Sequence, residues 1–366
     1  MVNDVHRQEP NHIRILTLKQ CITNAPWRIG IPFDALARRG HEIRTVGEKQ
    51  LDELCAGDVL VLHNPSRAWV VDMVHAARKR DIRLVVDVDD LLLLESLPAH
   101  AKFARHWHPL RFQREAEERI RAGVADPGAR DAAPCNDALN HLHECMRAAD
   151  VVTVSTPFLA ASYAHLNANI QILPNCFDDT QPLWEIPRPP RSTINIGFLG
   201  TEHHGPNLEL LRGAIEPVIE RHPDVLVVEA GQGGLLDLIQ APPQRLVHLG
   251  WFPFETFPLV LHQMDIVLAP LTDEPFMLAK SNIRCLTAGI VGAPVIASPV
   301  GPYAEYVTHG VNGYFATSPE DWTESLIKLV TDPDLRRDIG YQNRHTARTY
   351  AISTNVERWE KVYASV

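Results

Sequence analysis

The segment 265–298 constrains the fold more than any other part of this chain. Its apolar run at 266–270 is long enough for a buried strand, and the later run PVIAS predicts a second strand. Between the two runs, apolar residues recur at the spacing of one helical face. Ser281 is a suitable N-cap for this helix, and Gly292 marks its end. The segment therefore predicts a strand, a loop, a helix and a strand.

The start of this helix is the first candidate ligand site. A helix that begins at the carboxyl end of a parallel strand attracts anions, because its free N–H groups and its dipole both favour negative charge. Lys280 and Arg284 add two cations at that point. The pattern predicts that a phosphate or diphosphate binds there.

Strand and helix patterns alternate along most of the chain, which predicts parallel sheets with helices on both faces. Between the two halves lies the stretch PRPPRS (187–192), which is typical of a linker because prolines block a helix. The segment from about 96 to 147 interrupts the alternation, and either a lid near a cleft or a surface decoration would fit it. The predicted strands are 13–18, 43–46, 58–63, 83–88, 149–156 and 170–175, then INIGFLG, DVLVVEAG, RLVHLGW, DIVLAPL, APVIAS and NGYFAT, followed by a helical tail at 319–363.

Length and composition narrow the class of protein. A chain of 366 residues is long enough for about two domains. Its net charge of −10 disfavours a general nucleic-acid binder. No apolar run approaches the roughly 20 residues that span a bilayer, and the first residues lack the apolar region of a signal peptide. Six cysteines without C-x-x-C spacing predict reduced thiols in a cytoplasmic protein.

Four motifs together resemble one enzyme family. The segment 265–298 is similar to a donor-binding signature, APL…PF…KS.I(K/R).LE…G.PV.AS. The stretches GFLGTEHH (197–204), HLGWFP (248–253) and GPYAEYVTHGVNGYFA (301–316) resemble further conserved stretches of the same family. The family is that of the retaining GT-B glycosyltransferases of family 4, also called group 1 glycosyl transferases. The resemblance covers roughly 150–366 well and 13–95 loosely.

The resemblance implies an α/β fold of the GT-B type, with two Rossmann-like domains facing a cleft. Residues 1–188 would form the acceptor-side domain, with the helical insertion at about 96–147. Residues 189–350 would bind the nucleotide sugar, and a helix at 351–366 would pack back on the first domain. The implied reaction transfers a sugar, with retention and without a metal or cofactor, from a UDP- or GDP-sugar to a saccharide, lipid-linked or macromolecular hydroxyl.

One position departs from the family pattern. Many members carry a Glu that holds the donor ribose, seven residues before the Pro of G.PV, and this chain has Thr287 there. A second Glu of many members corresponds to Ala279. A Thr hydroxyl can make one such hydrogen bond but carries no charge. The departure leaves the donor, and full activity, as open questions.

The ends of two predicted strands supply the remaining catalytic candidates. Ligands of open α/β sheets lie beyond the carboxyl ends of strands. One strand ends in His63, which would contact the donor sugar or serve only as a hydrogen-bonded structural residue. The next ends in Asp87, Asp89 and Asp90, for which sugar or acceptor contact, a metal site and a solvated loop are the alternatives. We expect His63, Asp89, Asp90 and Lys280 to carry catalysis.

The donor site is predicted from glycine turns, a basic turn and aromatic strand ends. Glycines allow the backbone to approach a ligand, and a histidine can donate to phosphate. The histidines at 106, 108, 141 and 143 lack the spacing of a metal site, and we expect them on helical surfaces. The expected donor-binding residues are Gly200, Thr201, His204, Gly231, Trp251, Phe252, Lys280, Ser281, Asn282, Arg284 and Thr287.

Three functions remain open from the sequence. The first is a glycosyltransferase acting on a saccharide, lipid-linked or small-molecule acceptor. The second modifies a macromolecule, either a protein or hydroxymethylated DNA. The DNA case requires Arg105, Arg111 and Arg114 to lie beside the cleft. The third is a non-catalytic homologue that binds a nucleotide or a partner, as Thr287 suggests.

Overall fold

Two six-stranded parallel sheets form the framework of this protein. The computed structural model describes residues 12–19, 21, 25–47, 54–93, 96–97, 138–188, 190–200 and 204–366. The first sheet has the strand order β2-β1-β3-β4-β5-β6, with β1 Arg14–Leu18, β2 Glu42–Val46, β3 Val59–His63, β4 Arg83–Val88, β5 Val151–Val154 and β6 Ile170–Ile172. The second has the order β12-β11-β10-β7-β8-β9, with β7 Ile194–Gly200, β8 Val225–Gly231, β9 Leu246–Leu249, β10 Ile266–Ala269, β11 Val295–Ala297 and β12 Gly313–Phe315.

Helices connect the strands and cover the sheets. We call the parts built around the two sheets the first and second domains. The described helices of the first domain are α1 Ile31–Arg38, which continues a π-turn at Pro26–Gly30, α2 Ala68–Lys79, α3 Ala138–Ala148 and α4 Pro157–Tyr163. Those that follow are α5 Gly205–Leu208, α6 Glu216–Arg221, α7 Phe257–Leu261, α8 Pro275–Leu278, α9 Ile283–Ile290, α10 Gly301–Tyr306, α11 Pro319–Thr331, α12 Pro333–Arg348 and α13 Ile352–Ala364.

The central strands are buried because their residues are apolar on both faces. The sequence VLVL of β3 and the run LVV of β4 are fully buried. Such runs are typical of parallel strands that helices cover on both sides. Short local signals set the helix boundaries: Ser318 and Asp321 form a reciprocal capping box at the start of α11. The predicted α/β fold with two parallel sheets is confirmed.

The C-terminal helix α13 crosses back to the first domain. It packs on α1, where the rings of Phe33 and Tyr363 meet edge to face at 6.1 Å. His41 Nε2 lies 2.7 Å from Glu360 Oε1 at the same contact. The crossing passes Phe177, whose N–H donates to Tyr350 O and whose carbonyl accepts from the N–H of Ile352. The predicted return of the last helix is therefore confirmed.

Aromatic side chains join the two domains on one side of the cleft. The Trp27 ring, from the first domain, meets the Phe254 ring at 5.2 Å and the Phe257 ring at 6.2 Å. Trp184, which precedes the linker, meets Phe257 at 6.3 Å. Edge-to-face contacts at these distances are favourable in addition to the apolar area they bury. They hold the carboxyl ends of the two sheets opposite one another.

One local prediction was wrong. The predicted helix is α9, which begins at Ile283 with Asn282 as its N-cap, and Ser281 does not cap it. The Ser281 hydroxyl instead accepts a hydrogen bond from Asn175 Nδ2 at 2.9 Å, which comes from the first domain. Of the insertion predicted at 96–147, the described part includes α3, and most of the remainder lies outside the described residues. Within the described ranges, no helix is long and apolar enough to cross a membrane.

Candidate active site

A cavity of about 260 Å³ lies between the two domains at the carboxyl ends of their strands. Ligands of parallel α/β sheets bind at this edge. Both domains contribute charged and polar side chains to its walls. The lining residues are Trp27, Asp89, Asp90 and Asn175 from the first domain, and Leu199, His204, Phe257, Lys280, Ser281, Ile283, Arg284, Thr287 and Tyr303 from the second.

Lys280 and Asp90 form an ion pair between the two domains at the wall of this cavity. Lys280 Nζ lies 2.6 Å from Asp90 Oδ1, and the two side chains are 19% and 28% exposed. The Lys280 ammonium also lies 4.4 Å from the centre of the Phe276 ring, at cation–π distance. A partly exposed pair of this kind contributes little net stability, so a stronger anion can displace the carboxylate.

Arg284 is part of the second-domain wall of the cavity, and several contacts fix its side chain. It is buried, and its Nε donates to Leu199 O at 3.0 Å. Its Nη2 lies 3.1 Å from His204 Nε2, and its guanidinium carbon lies 4.8 Å from the centre of the Phe198 ring. Tyr303 Oη accepts from Nη1 at 3.4 Å, and burial raises the pKa of Tyr303 to about 12. This arrangement fixes a positive charge at a defined point in the cavity.

Thr287 lies one turn after Arg284 on α9 and lines the same cavity. It is only 2% exposed, and its hydroxyl donates to Arg284 O at 3.1 Å. The hydroxyl proton is therefore used within the helix, while its oxygen can still accept a hydrogen bond. The position carries no charge of its own toward a ligand.

Asp87 belongs to a buried network and does not reach the cavity. It pairs with His63 in the register of β3 and β4, and it is 2% exposed. Arg28 Nη2 donates to it at 2.6 Å, His63 Nδ1 lies 2.8 Å from it, and Thr153 Oγ1 donates at 2.6 Å. Burial opposes the charged form, but Arg28 and His63 outweigh it and hold the pKa of Asp87 well below its usual range. Asp87 therefore orients His63.

The other face of His63 points toward Asp89. Its Nε2 lies 3.0 Å from Asn64 Nδ2 and 3.6 Å from Asp89 Oδ1. The tautomer with its proton on Nδ1 satisfies both the Asp87 and the Asn64 contacts. Burial alone would lower the pKa of His63, but the carboxylates of Asp89 and Asp87 outweigh it and raise that pKa. His63 itself does not line the cavity, whereas Asp89 does.

The pKa of Asp89 is shifted in the opposite direction from that of Asp87. Burial raises its pKa, and the charges of Asp90 and Asp87 add to the rise, although His63 opposes it. Asp89 thus lies at the cavity wall with an increased tendency to hold a proton. The two carboxylates that face the cavity therefore differ in their environments, since Asp90 is paired with a lysine and Asp89 is near a histidine.

The two predicted glycine turns pack against each other. Gly231 has a positive φ of 94°, and a Cβ there would lie 2.4 Å from Gly200 O. The loop after Gly231 is held from below by buried Glu229, which accepts from the N–H groups of Leu235 at 3.0 Å and Leu236 at 3.4 Å. Neither glycine is among the lining residues of the cavity, and their contact with a donor stays a prediction. Thr201 lies outside the described residues.

The predicted aromatic pair is not part of the cavity wall. Trp251 is 76% exposed, and Phe252 stacks on Phe257 at 5.7 Å. The aromatic side chains that do line the cavity include Trp27, Phe257 and Tyr303, which the sequence analysis did not select. A strand-end position indicates the correct edge of the sheet, but it does not give the direction of the side chain.

Asn175 is a further cavity residue that the sequence analysis missed. Its Nδ2 donates to Ser281 Oγ at 2.9 Å, and its Oδ1 accepts from Arg28 Nη1 at 3.3 Å. It thereby links the buried Arg28 network of the first domain to the Lys280 loop of the second. Its place at the end of the predicted strand 170–175 was the available signal, since ligands of open α/β sheets lie beyond the carboxyl ends of strands.

The other histidine candidates have structural contacts. His141 Nδ1 lies 3.2 Å from Ser66 O, and His143 Nε2 lies 3.1 Å from Leu92 O. Among the described residues, no group of three or more His, Cys, Asp or Glu side chains could hold a metal ion. His106 and His108 lie outside the described residues, as do Arg105, Arg111 and Arg114. The five cysteines in the described ranges are free thiols.

Part of this chain is similar in sequence to known glycosyltransferases. Residues 193–332 match the family model described as glycosyl transferases, group 1. An uncharacterized glycosyltransferase, MJ1607 of Methanocaldococcus jannaschii, is 28% identical over 152 residues, which are 39% of this chain and 37% of that protein. The D-inositol 3-phosphate glycosyltransferase of Corynebacterium jeikeium is 30% identical over 190 residues, which are 48% of this chain and 44% of that protein. Each match thus spans less than half of the relative's own length.

Solved structures share the complete architecture. The crystal structure of Anabaena Alr3699/HepE in complex with UDP has a TM-score of 0.62 to this chain at 15% identity, and the match covers 97% of this chain and 100% of that chain. At this identity the likeness concerns the fold. The chain therefore has the two-domain α/β fold of the GT-B type, and its residues 193–332 are similar to the group 1 glycosyl transferases.

Proposed function

We propose that this protein is a glycosyltransferase that moves a sugar from a nucleoside diphosphate sugar to an acceptor hydroxyl with retention of configuration. The observation that carries the proposal is the interdomain cavity with Lys280 and Arg284 on one wall and Asp89 and Asp90 on the other. A diphosphate matches the two cations, and sugar hydroxyls match the carboxylates. The match of residues 193–332 to the group 1 glycosyl transferases supports the same reaction class.

In this proposal the second domain binds the donor. Lys280 and Arg284, with the Ser281 hydroxyl and the amides near Asn282, bind the diphosphate. Thr287 and His204 lie beside them and would contact the ribose and a phosphate oxygen, respectively. The Anabaena structure, with the same fold, is a complex with UDP, which supports a uridine nucleotide as the first donor to test. A GDP-sugar is the alternative donor.

The chemistry follows from where charge develops. The bond between the sugar anomeric carbon and the diphosphate oxygen breaks, and a bond to the acceptor oxygen forms on the same face of the sugar. The leaving phosphate oxygen accepts the proton of the acceptor hydroxyl. Negative charge accumulates on the diphosphate, and Lys280 and Arg284 are preorganised to stabilise it without a metal. Among the cavity residues, the cation pair therefore contributes the main rate enhancement.

The first domain binds the acceptor in this proposal. Asp89 and Asp90 lie opposite the cations and can accept hydrogen bonds from sugar or acceptor hydroxyls. His63 lies behind Asp89, with Nε2 at 3.6 Å, so it would act on the sugar only after a small movement of Asp89. The acceptor itself is a saccharide, a lipid-linked glycan or a macromolecule. The proposed domain limits, 1–188, 189–350 and 351–366, belong to the same proposal.

A panel of UDP- and GDP-sugars tests the proposal in two steps. Thermal shift first identifies the nucleotide, because a ligand at 100 times its Kd stabilises a protein by about 2.7 kcal/mol. Donor hydrolysis is then followed by NMR, which reports the anomeric configuration of the released sugar. EDTA should leave the rate unchanged. The proposal would fail if nucleotides bind but no donor is turned over with any acceptor class, or if the product is inverted.

Nucleotide binding without turnover is the second candidate function. It is favoured by two contacts, since Lys280 is already paired with Asp90 and the Thr287 hydroxyl is already bonded within α9. In that case UDP or GDP would stabilise the protein, yet hydrolysis of the donor would stay at the background rate. The same panel therefore separates the two candidates.

A further inference from the structure

A second cavity, of about 470 Å³, lies on the second domain and shares no lining residue with the interdomain cavity. We call it the rear cavity. Its walls come from the linker after β6, the start of β10, the turn after α9 and the exposed face of α12. The lining residues are Glu185, Ile186, Pro187, Arg188, His262, Asp265, Val291, Gly292, Pro294, Pro333, Arg336, Arg337, Tyr341 and Arg344.

The lining of the rear cavity is rich in arginine although the whole chain carries a net charge of −10. Its lining includes four arginines and two acids, which leaves a balance of two positive charges. Glu185 is paired with Arg344, and Asp265 Oδ1 lies 3.3 Å from Arg188 Nη1. Among the described residues, Arg337 is paired with two exposed acids of its own helix. Exposed ion pairs of that kind are weak, so Arg337 can exchange its partner for a ligand.

Two buried nitrogens of the cavity residues have no hydrogen-bond partner within the described part of the chain. They are Arg188 Nε and His262 Nδ1. His262 is 2% exposed, and its other nitrogen, Nε2, lies 3.1 Å from Leu183 O. A buried polar group without a partner costs free energy, and a bound ligand or water is a common explanation for one. Since Nε2 donates to the Leu183 carbonyl, His262 Nδ1 is an acceptor and suits a ligand hydroxyl, whereas Arg188 Nε is a donor and suits a ligand oxygen.

The size and the remaining lining narrow the class of that occupant. A volume of about 470 Å³ lies within the range of about 300 to 1,000 Å³ that small-molecule sites have, and it exceeds the volume of a single phosphate ion. The 16-residue helix α12 begins at the cavity with Pro333, but the Asp332 carboxylate already accepts from the Leu335 N–H at this helix start, so the arginines supply the positive charge. Tyr341 is 68% exposed and lies on α12 between Arg337 and Arg344, where its ring can cover the apolar face of a sugar.

We propose that the rear cavity binds a phosphorylated sugar, with the phosphate on the arginines of α12 and the linker and the sugar ring against Tyr341. Arginine is suited to this task because its planar guanidinium binds phosphate through two parallel hydrogen bonds. The cavity borders Val291 and Gly292 at one end of α9, whereas Arg284 and Thr287 on the same helix line the interdomain cavity. The ligand would therefore bind behind the helix that carries the proposed donor contacts.

Calorimetry on the full chain with ribose 5-phosphate and inorganic pyrophosphate tests this site. Arg337→Gln and Arg344→Gln should each weaken ribose 5-phosphate binding about tenfold, which corresponds to about 1.4 kcal/mol. Glu185→Gln removes an acid that opposes the phosphate and should tighten binding. Arg212→Gln is the matched control, since Arg212 is an exposed arginine paired with Glu209 and lies outside the rear cavity. Each variant is checked for an unchanged melting temperature.

The interdomain cavity could also hold pyrophosphate, so Lys280→Ala separates the two sites. The proposal expects ribose 5-phosphate binding to survive Lys280→Ala and to be lost in the double variant of Arg337 and Arg344. Nucleotide binding should show the reverse dependence. Equal binding of ribose 5-phosphate to wild type and the double variant would overturn the proposal. The proposal would also be overturned if ribose 5-phosphate did not bind at millimolar concentration, or if the protein bound only vesicles of phosphatidylcholine and phosphatidic acid.

Discussion

Lys280 Nζ lies 2.6 Å from Asp90 Oδ1, and this ion pair joins the second domain to the first across the cleft. The lysine belongs to the loop that precedes α9, and the aspartate follows β4. Any diphosphate that binds at α9 must share the lysine with this carboxylate or displace it. The pair therefore couples ligand binding in one domain to the position of the other.

The first prediction concerns the lysine. Lys280→Ala should reduce turnover about a hundredfold, because removing one contact to developing charge in a site shielded from water costs about 3 kcal/mol. The fold should be kept, since the pair is partly exposed. Steady-state kinetics with the best donor of the UDP and GDP panel measures this effect. Lys328→Ala, at an exposed helical lysine paired with Glu324, is the control, and wild-type turnover of Lys280→Ala would contradict the assigned role.

The second prediction concerns the carboxylate that competes for the lysine. Asp90→Asn should tighten the binding of UDP or GDP by up to about fivefold, because partly exposed pairs contribute about 0.2–1 kcal/mol. Calorimetric titration of both proteins measures the Kd. The control is Asp237→Asn, which changes an exposed acid outside the cavity. Weaker nucleotide binding by Asp90→Asn would mean that Asp90 positions the lysine and does not compete with the ligand.

The third prediction concerns Thr287, the uncharged residue proposed to contact the donor ribose. Thr287→Glu should tighten nucleotide binding about tenfold, because ribose hydroxyls donate strongly to a carboxylate and hydrogen bonds to charged groups contribute about 1.5–3 kcal/mol. The new charge would lie one turn from Arg284 and so would not be unpaired. Thr287→Gln is the uncharged control of the same length. Looser binding by the Glu variant, together with an active wild type, would show that the ribose is held elsewhere.

The fourth prediction concerns the buried network behind the cavity. Asp87→Asn should lower the free energy of unfolding by about 3–5 kcal/mol, because it leaves Arg28 buried without its charge partner. Urea denaturation measures the change, with Asp237→Asn as a control that should alter stability little. A loss near 1 kcal/mol would indicate that Leu173 O and Asn175 already satisfy Arg28.

The fifth prediction concerns pH. The pKa of His63 is raised in the folded protein, since Asp89 and Asp87 outweigh the opposing effect of burial. A raised pKa contributes stability below the unfolded value of about 6.5 and loses it as the pH rises through the folded value. The stability difference between wild type and His63→Gln should therefore shrink as the pH rises above about 6.5. His75→Gln, at an exposed histidine, is the control, and a difference that is constant with pH would contradict the prediction.

The strands and their order of appearance were predictable because buried parallel strands consist of continuous apolar runs. β3, β4 and β10 are such runs, and their positions agree with the sequence analysis. The start of α9 was not predictable from local signals. Ser281 has the side chain of a good N-cap, but Asn175, more than a hundred residues earlier, engages its hydroxyl. A tertiary contact overrode the local preference.

The candidate site likewise contains residues that were predictable from local sequence and residues that were not. Lys280, Arg284 and Thr287 were selected from one continuous segment, and the fold brings them to one cavity wall. Trp27 and Asn175 were not selected, because only the approach of the first domain places them opposite that wall. No local pattern encodes the relative position of two domains. For this reason sequence reasoning recovered one side of the cleft better than the other.

The return of the C-terminal helix limits how the cleft can open. The chain passes between the domains twice, and the two passages are tied together where Phe177 exchanges hydrogen bonds with Tyr350 and Ile352. Two connecting segments that are joined by hydrogen bonds resist twisting better than a single connecting segment does. We therefore expect the domains to open by rotation near Phe177, and opening would break the Lys280–Asp90 contact between them. Such a rotation would let the cleft admit a large ligand and then bring Lys280 and Asp90 back into contact.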